Sequence, residues 1–334
     1  MPRCWPSARW IWCCDRSRPP PSRRSRPWPL QLLMRTRKPM SKLRHITVAS
    51  DLSPQAGVAV RRALQLARQH SGSLLALSVV PPLQAAVEND WWSREGLTPE
   101  QLQAQVLSET EARLRQSIGD AHTGLDARVV VSRSAPHVEI VSTARSEGSD
   151  LVVVGAHGGH FLHRLLVGTT AERVVRHAER PVLVVKQSAG EAYRRVLVPV
   201  DFSPLSQAAL GFAQRIAPEA EISVVHSYEL WFESWIGLGY DLDERVLALR
   251  DALGNEARAR LAEVVRGGGL DPAVTTQVVR YGYPGRIITR VADDLNADLI
   301  VMGTHGRSAL EQALLGSVAE HVLKECRCDV LLIP

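Results

Sequence analysis

Short apolar runs alternate with longer amphipathic stretches from residue 42 to the end of the chain. The short runs are apolar on both faces, which is typical of strands buried in a parallel sheet. They predict strands at His45–Ser50, Leu74–Val80, Ala127–Val131, Asp150–Gly155, Pro181–Lys186, Arg195–Val200, Glu221–Ser227, Ala273–Val279, Asp298–Gly303 and Asp329–Ile333.

The stretches between these runs have apolar residues at helical spacing, and several begin with proline, as helices often do. The first predicted helix starts at Ser53-Pro54 and ends near Gly72. The others are predicted at Pro99–Ile118, Pro136–Glu147, Thr170–Ala178, Pro204–Ala217, Asp241–Arg266, Pro284–Asn296 and Ser317–Cys326. Strands that alternate with helices predict a parallel α/β fold with right-handed crossovers.

One unit is present twice in this order of elements. DLSP at residues 51–54 returns as DFSP at 201–204, and GAHG at 155–158 returns as GTHG at 303–306. The offset is 150 residues for the first pair and 148 for the second, which is too long for a solenoid repeat. The repetition predicts two whole domains, 42–187 and 194–334, joined by a short linker at Gln187–Tyr193.

A glycine loop follows the fourth predicted strand of each copy, with the spacing G-x2-G-x9-G-[S/T]. Glycine lets backbone N–H groups approach an anion without a Cβ in the way, and a helix N-terminus adds positive charge. Ser317 is predicted to cap the next helix, with Glu320 completing a capping box. Each loop therefore predicts a phosphate-sized anion site.

Three segments of each copy are expected at the same edge of the sheet, where the carboxyl ends of the strands meet. They are the aspartate after the first strand (Asp51 or Asp201), the end of the second strand (near Val79 or Ser227) and the glycine loop. A carboxylate near a ribose or a magnesium ion, together with amides near phosphates, suits a nucleoside triphosphate. The alternative role for each aspartate is an Asx turn at the start of the helix.

Charge is unevenly distributed along the chain. Residues 1–40 have a net charge of +9, whereas the rest of the chain has a net charge of −4. The acidic body argues against a nucleic-acid-binding protein. We expect residues 1–41 to be a disordered basic tail or an upstream start that is not used, with Met40 as the alternative start. A tail that touches anionic lipid or nucleic acid is the functional alternative.

The cysteines predict neither a disulfide framework nor a zinc site. Three lie in the tail, and Cys326 and Cys328 form a C-x-C pair without a second pair or a histidine at ligand spacing. No apolar run reaches the roughly 18 residues that span a membrane. We therefore expect a reduced, cytoplasmic protein without a transmembrane segment.

The repeated motifs resemble the universal stress protein family, and the resemblance covers residues 42–334. Both copies match the glycine motif of the ATP-binding members. The resemblance implies a Rossmann-like open sheet of five parallel strands in each domain, in the order 3-2-1-4-5, with helices on both faces. It also implies an internal pseudo-dimer through the last strands, to which homodimerisation could be added.

The resemblance further implies ATP as the ligand, with Mg²⁺ as a candidate counter-ion. The glycines and the Ser or Thr would hold phosphates, the aspartate would lie by the ribose and phosphates, and the main chain after the second strand would face adenine. The residues so assigned are Asp51, Val79, Gly155, Gly158, Gly168 and Thr169 in the first domain, and Pro199, Asp201, Ser227, Gly303, Gly306, Arg307, Gly316 and Ser317 in the second.

The two copies differ around these motifs. The second has a basic-polar pair, Arg307-Ser308, after its second glycine, as is usual in the family, and the first does not. His226 of the second copy stands where the first has Ser78, and its alternative role is to close the strand edge. These differences favour the second site over the first.

Two functions of different classes fit the sequence. The first is a nucleotide-dependent sensor or regulator in stress survival, at most a slow ATPase or a protein that phosphorylates itself on Thr169 or Ser317. No P-loop lysine or assigned base is present, so fast phosphoryl transfer is not expected. The second is a nucleotide-independent protein that binds a partner or lipid through the Trp-bearing inserts 81–98 and 228–243 or through the tail.

Overall fold

The computed structural model describes residues 42–80, 98–119, 124–156, 167–187, 190–230, 244–306 and 315–334. The tail and most of both Trp-bearing inserts lie outside these ranges. The elements of the first repeat are β1 (His45–Ala49), α1 (Pro54–His70), β2 (Ser73–Val80), α2 (Pro99–Ile118), β3 (Ala127–Arg133), α3 (Pro136–Ser146), β4 (Leu151–Gly155), α4 (Thr169–His177) and β5 (Val182–Val185).

The second repeat has the same order of elements. They are β6 (Arg195–Pro199), α5 (Pro204–Ile216), β7 (Glu221–Tyr228), α6 (Glu244–Gly267), β8 (Gln277–Tyr281), α7 (Pro284–Asp294), β9 (Leu299–Gly303), α8 (Ser317–Glu325) and β10 (Asp329–Ile333). The chain thus forms two repeated α/β domains, as the sequence predicted.

The strands form one ten-stranded sheet in the order β3-β2-β1-β4-β5-β10-β9-β6-β7-β8. Within each repeat the pairing is parallel, and the order is 3-2-1-4-5 when the strands of that repeat are counted in sequence. The order reverses between β1 and β4 and between β6 and β9, which are the two switch points at which ligands bind in open α/β sheets.

The two repeats join at their last strands. β5 and β10 pair antiparallel, with Leu183 opposite Leu331, so the two five-stranded halves share one hydrogen-bonded sheet. Helices α1, α2, α5 and α6 contribute to a buried cluster on one face, and α3, α4, α7 and α8 to a cluster on the other. Each cluster contains residues from both repeats, so the core continues across the junction of β5 and β10.

A buried carboxylate strengthens this junction. Asp329, at the start of β10, is fully buried and accepts hydrogen bonds from the backbone amides of Lys186 and Gln187 at 2.8 and 3.0 Å. The hydroxyl of Tyr193 in the linker donates to it at 2.6 Å, and Nε of Arg62 on α1 lies 3.5 Å away. Burial, followed by the Asp329 charge, raises the pKa of Tyr193 well above its ordinary value, so the hydroxyl keeps its proton.

Serine caps begin the first helix of each repeat. Oγ of Ser53 accepts from the Ala56 amide at 3.1 Å, and Oγ of Ser203 accepts from the Ser206 amide at 3.2 Å, each with proline at the first helical position. These contacts satisfy one of the free N–H groups of a helix start, as the Ser-Pro pairs predicted.

The prediction of side-chain caps after the glycine loops is wrong. The N-caps of α4 and α8 are Gly168 and Gly316, neither helix has a side-chain cap, and Thr169 and Ser317 are the first helical residues. The Glu320 carboxylate instead accepts from Lys324 Nζ at 2.5 Å. An N-cap needs an extended backbone, and the glycines take that conformation because they close the loop.

The strand predicted at Ala273–Val279 begins later, at Gln277. Asp271 starts a turn instead, since its carboxylate accepts from the Ala273 amide at 2.9 Å and its carbonyl accepts from the Thr275 amide at 3.0 Å. Val274 is 81% exposed, so its apolar side chain marks a turn and not a buried strand. Among the described helices, none is long and apolar enough to cross a bilayer.

Candidate functional site

A cleft at the carboxyl ends of β6 and β9 collects most of the predicted residues of the second repeat. It encloses about 780 Å³, including its open mouth. The predicted residues that line it are Pro199, Asp201, Ser227, Gly303, Gly306, Gly316 and Ser317. Arg307, predicted with them, lies outside the described residues. The structure therefore brings three separate chain segments to one place, while their role in binding stays a prediction.

The apolar part of this cleft was not predicted from the sequence. Side chains from α7, β9 and α8 form it, including Ile288, Met302 and Val318. A flat apolar wall beside a polar loop suits an aromatic base next to a charged group. The periodicity of α7 and α8 marks these residues as apolar, but it does not separate a cleft wall from ordinary core.

Asp201 is held by the turn that connects β6 to α5. Its Oδ1 accepts from the Ser203 amide at 3.0 Å and from the Ser203 hydroxyl at 2.5 Å, so the Asx turn named as its alternative role is present. Its Oδ2 lies on the side of Gly306, where an added Cβ would come within 3.0 Å of it. The Asp201 carboxylate can therefore stabilise the turn through Oδ1 while its Oδ2 faces the cleft.

The residue after each aspartate adopts a strained backbone conformation. Leu52 has φ 62° and Phe202 has φ 64°, values that side chains other than glycine rarely take. The Ser53 amide donates to Asp51 at 3.0 Å, as the Ser203 amide does to Asp201. Strain of about 1–3 kcal/mol at matched positions is typical of functional turns. This strain could not be predicted from the residue types, because neither Leu nor Phe favours positive φ.

The glycine loop closes on itself at its two ends. The Gly316 amide donates to the Thr304 carbonyl at 2.8 Å, and a Cβ at Gly316 would lie 3.1 Å from that oxygen. A Cβ at Gly303 would lie 3.0 Å from Cβ of Leu205. A side chain at either position would therefore be tight against the neighbouring residues, apart from any room that the glycines leave for an anion.

The first repeat has the same backbone hydrogen bond between the two ends of its glycine loop. Gly155 ends β4 and pairs with Val185, and the Gly168 amide donates to the Ala156 carbonyl at 2.7 Å, the counterpart of the Gly316 contact. Asp51 and Thr169 are exposed at the same edge. Val79 lies near the end of β2, paired with Ser132 of β3. Gly158 lies outside the described residues.

His226 closes the strand edge, which is the alternative role given to it above. Its Nδ1 donates to the Val200 carbonyl at 2.7 Å, and its ring lies 4.3 Å from that of Phe202. The histidine therefore supports the strained turn after Asp201. Ser227, the next residue, donates its hydroxyl to the Gly282 carbonyl, which fixes the end of β7 at the cleft.

His305 has a buried ring nitrogen without a partner among the described residues. The Thr304 hydroxyl donates to the Ile333 carbonyl at 3.2 Å, so Nδ1 of His305 is the donor in its 2.8 Å contact with Thr304 Oγ1. That assignment leaves Nε2 as an acceptor in the neutral ring and a donor in the charged one. Nε2 is buried and has no hydrogen-bond partner. His305 also lines the cleft, so its Nε2 is available to hydrogen-bond a polar group bound there.

No group of three or more His, Cys, Asp or Glu side chains within the described part of the chain is arranged to hold a metal ion. Asp201 is the carboxylate that lines the cleft. A magnesium ion commonly binds through one or two carboxylates together with phosphate oxygens. The donor set therefore suits a metal that arrives with a phosphate ligand.

A ten-stranded sheet built from two copies of one α/β unit defines a tandem α/β protein. The model of the universal stress protein family matches residues 42–186 and 192–334. The chain belongs to this family, and membership supports a role in the stress response.

Curated relatives share the tandem length. Universal stress protein E of Photorhabdus laumondii is 24% identical over 308 residues, which cover 88% of this chain and 96% of the relative. Universal stress protein MJ0531 of Methanocaldococcus jannaschii is 34% identical over 142 residues, which cover 42% of this chain and 82% of the relative. It therefore corresponds to about one repeat.

Solved structures show the same fold. A functionally unknown protein from Pseudomonas aeruginosa has a TM-score of 0.60 at 20% identity, covering 88% of this chain and 93% of its own. A universal stress protein from Archaeoglobus fulgidus has a TM-score of 0.59 at 20% identity, covering 87% and 96%. At this identity the likeness concerns the fold.

Proposed function

We propose that this protein binds ATP in the cleft of its second repeat and acts in the stress response as a nucleotide-dependent sensor or regulator. The observation that carries the proposal is the convergence of Asp201, Ser227 and the two described ends of the glycine loop (303–306 and 316–317) on one cleft at the switch point between β6 and β9. The first repeat, with the same hydrogen-bonded frame, is a second candidate site.

The cleft has the three parts that an adenine nucleotide needs. The N-terminus of α8 begins at Ser317, next to Gly316, and offers backbone N–H groups and positive dipole charge to phosphates. Asp201 is placed to accept from a ribose hydroxyl or to hold Mg²⁺. The apolar wall with Ile288 and Met302 suits the adenine ring, and the unmet Nε2 of His305 suits a polar atom of the ligand.

The same cleft offers little for rapid hydrolysis. No lysine, arginine, aspartate or glutamate other than Asp201 lines its described part. Asp201 already accepts two hydrogen bonds from Ser203 on Oδ1, so that oxygen is engaged by the turn. We therefore propose retention of the nucleotide, with hydrolysis slow at most. The free thiols of Cys326 and Cys328 agree with the proposed cytoplasmic location.

The test is a calorimetric titration of the full chain with ATP and Mg²⁺. Valine in place of the loop glycines would distort the loop whether or not ATP binds there, so variants that change chemistry and keep shape are needed. Asp201→Asn keeps the Oδ1 acceptor of the turn and removes the charge. Ser317→Ala removes a hydroxyl at an exposed first helical position. Each is expected to weaken binding to the second repeat by about tenfold, because a hydrogen bond to a charged group is lost.

The chain provides two matched controls. Asp271 makes the same kind of turn, accepting from the Ala273 amide at 2.9 Å, and it does not line the cleft. Asp271→Asn should leave the titration unchanged. Asp51→Asn tests the first repeat, and the double variant with Asp201→Asn reports both sites. If Asp201→Asn and Ser317→Ala bind ATP as tightly and in the same ratio as the unmodified chain, the assignment of the site is wrong.

The competing function is nucleotide-independent binding of a partner or lipid through the Trp-bearing inserts or the tail. It predicts no heat of ATP binding in any variant. Purified protein would then carry no nucleotide that mass spectrometry can detect. Bound adenine nucleotide in the purified protein would instead favour the proposed function.

A further inference from the structure

The two cysteines of the C-terminal region lie at the junction of the repeats, where Cys326 contacts a lysine from the other repeat. Lys186 follows β5 of the first repeat, and its Nζ donates to the carbonyls of Leu323 and Cys326 at 2.6 and 2.7 Å. The same Nζ lies 3.5 Å from Sγ of Cys326. The Cys326 thiol also donates to the Cys328 carbonyl at 3.4 Å. An ammonium group thus neighbours the Cys326 sulfur and serves to stabilise its thiolate.

The fold does not need cysteine at these positions. With the offset of 148 residues, Cys326 and Cys328 correspond to Ala178 and Arg180 of the first repeat. Ala178 and Cys326 have nearly the same backbone, with φ −72° and ψ 135° against φ −74° and ψ 152°. The first repeat therefore builds the same helix end without a thiol. The C-x-C pair is an addition to the second repeat.

The two thiols have different acidities. The hydrogen bond from the Cys328 thiol lowers the pKa of Cys326, and the Lys186 charge adds to this effect against the opposing effect of burial. The same contact and burial raise the pKa of Cys328. Cys326 is thus the more acidic of the two thiols. A nucleophilic cysteine beside a resolving one is the arrangement of redox-sensitive pairs.

Both cysteines are buried, although each keeps a small exposed area. Cys326 is 7% exposed and Cys328 is 4% exposed, while the flanking residues Glu325 and Arg327 are exposed. So small an exposed area hinders a bulky reagent more than it hinders a hydroperoxide, so a hydroperoxide is the oxidant that we consider.

We propose that Cys326 and Cys328 form a hydroperoxide-reactive dithiol that closes to a disulfide. The Cys326 thiolate attacks one peroxide oxygen, the O–O bond breaks, and the other oxygen leaves as hydroxide or alkoxide and takes up a proton. The Cys326 sulfenic acid is then attacked by the Cys328 sulfur. The S–O bond breaks, and water leaves with the thiol proton. Two thiols are oxidised, and the peroxide is reduced to water or an alcohol together with one more water.

Neither cysteine lines the cleft proposed to bind nucleotide, so the proposal stands apart from the proposed function. Disulfide formation would alter the chain next to Asp329, whose carboxylate holds Lys186, Gln187 and Tyr193. Oxidation would therefore affect the hydrogen bonds of Asp329 at the junction between the repeats.

The test uses the full chain with Cys4, Cys13 and Cys14 changed to serine, so that the C-x-C pair holds the remaining thiols. The reduced protein is treated with hydrogen peroxide at neutral pH, quenched with an alkylating agent and digested with trypsin. Cleavage after Arg327 separates the two cysteines, so a disulfide links peptide 325–327 to peptide 328–334. Linked peptides from folded protein are the expected result. Unmodified thiols, released for reaction by denaturant alone, would overturn the proposal.

Single variants test the assigned roles. Cys328→Ser should leave a Cys326 sulfenic acid that dimedone captures, and Cys326→Ser should leave Cys328 unreacted. Lys186→Met should slow disulfide formation by about tenfold, the effect of raising a thiol pKa by one unit, and Lys186→Arg should restore most of the rate. Equal rates in Lys186→Met and the parent, with the fold intact by thermal unfolding, would refute the role of the lysine. If the methionine variant does not fold, the same comparison is made between Lys186→Arg and the parent at increasing salt, which should slow the reaction.

Discussion

Replacing Asp329 by alanine should weaken the whole sheet, because this one carboxylate contacts both repeats and the linker. It accepts from the amides of Lys186 and Gln187 and from the hydroxyl of Tyr193, at 2.6 to 3.0 Å. It is fully buried, so water does not replace it in the folded protein. Alanine would leave these donors without an acceptor.

The size of the effect follows from the number of donors and from the neighbouring charge. A buried donor that loses its partner costs about 1–3 kcal/mol, although part of this is recovered if water enters the cavity. Arg62 keeps the hydrogen bonds of its Nη1 to Gln65 Oε1 at 2.8 Å and to the Glu191 carbonyl at 2.6 Å. Its buried Nε, however, loses the carboxylate that lies 3.5 Å away, so a buried charge is left without its counter-ion. We therefore expect Asp329→Ala to lower the free energy of unfolding by about 3–5 kcal/mol, the range for breaking a buried pair.

The assay is urea unfolding at neutral pH, with a double-mutant cycle. Tyr193→Phe alone should cost about 1–2 kcal/mol, because one buried hydrogen bond is removed. In the Asp329→Ala background the same change should cost under about 0.5 kcal/mol, since the hydroxyl no longer has its acceptor. Asp329→Asn, which keeps one carbonyl oxygen, should fall between the parent and Asp329→Ala. A loss below about 1 kcal/mol for Asp329→Ala, or full additivity in the cycle, would refute this reasoning.

Two further predictions concern pH and the glycine loop. Burial lowers the pKa of His70, whose Nε2 contacts the Ile216 carbonyl at 3.4 Å, so the folded state resists its protonation. The contribution of neutral His70 to the stability of the protein is therefore full above pH 6.5, the ordinary pKa, and is lost as the pH falls below that value. Between about pH 7 and pH 5, the urea midpoint should drop less for His70→Gln than for the parent. Equal drops would contradict this. Gly316→Ala should destabilise by about 1–2 kcal/mol, because its Cβ would meet the Thr304 carbonyl at 3.1 Å. Gly211→Ala, in a helix and without neighbours within 4 Å, should instead stabilise the protein by up to about 1 kcal/mol. Both variants are compared with the parent by thermal unfolding, and a similar loss of stability in the two would refute the steric argument.

Patterns that lie close together in sequence were enough to predict most of the fold. The apolar runs and the helical spacing of apolar residues predicted the order of strands and helices. The two Ser-Pro pairs predicted where α1 and α5 start. The repetition predicted two copies, and the strand order implied by the family resemblance is the one observed in each. The same resemblance implied contact through the last strands, which the pairing of β5 with β10 shows.

Features that depend on distant contacts were not predicted. Asp329 reads as the first residue of a strand, and nothing local indicates that Tyr193 and Arg62 lie against it. The strained φ of Phe202 is imposed by the turn at Asp201 and by packing on His226. The candidate site was predicted as a set of polar residues and glycines. Its apolar wall was missed because such side chains look like core in a sequence.

A crystal structure of the full chain grown with Mg²⁺ and a non-hydrolysable ATP analogue would show whether the cleft of the second repeat binds the nucleotide. We expect the phosphates against Gly306 and the N-terminus of α8, the ribose beside Asp201 and the adenine near Ser227. If the analogue is absent at concentrations that saturate calorimetric binding, or lies away from the cleft, the proposed site is wrong.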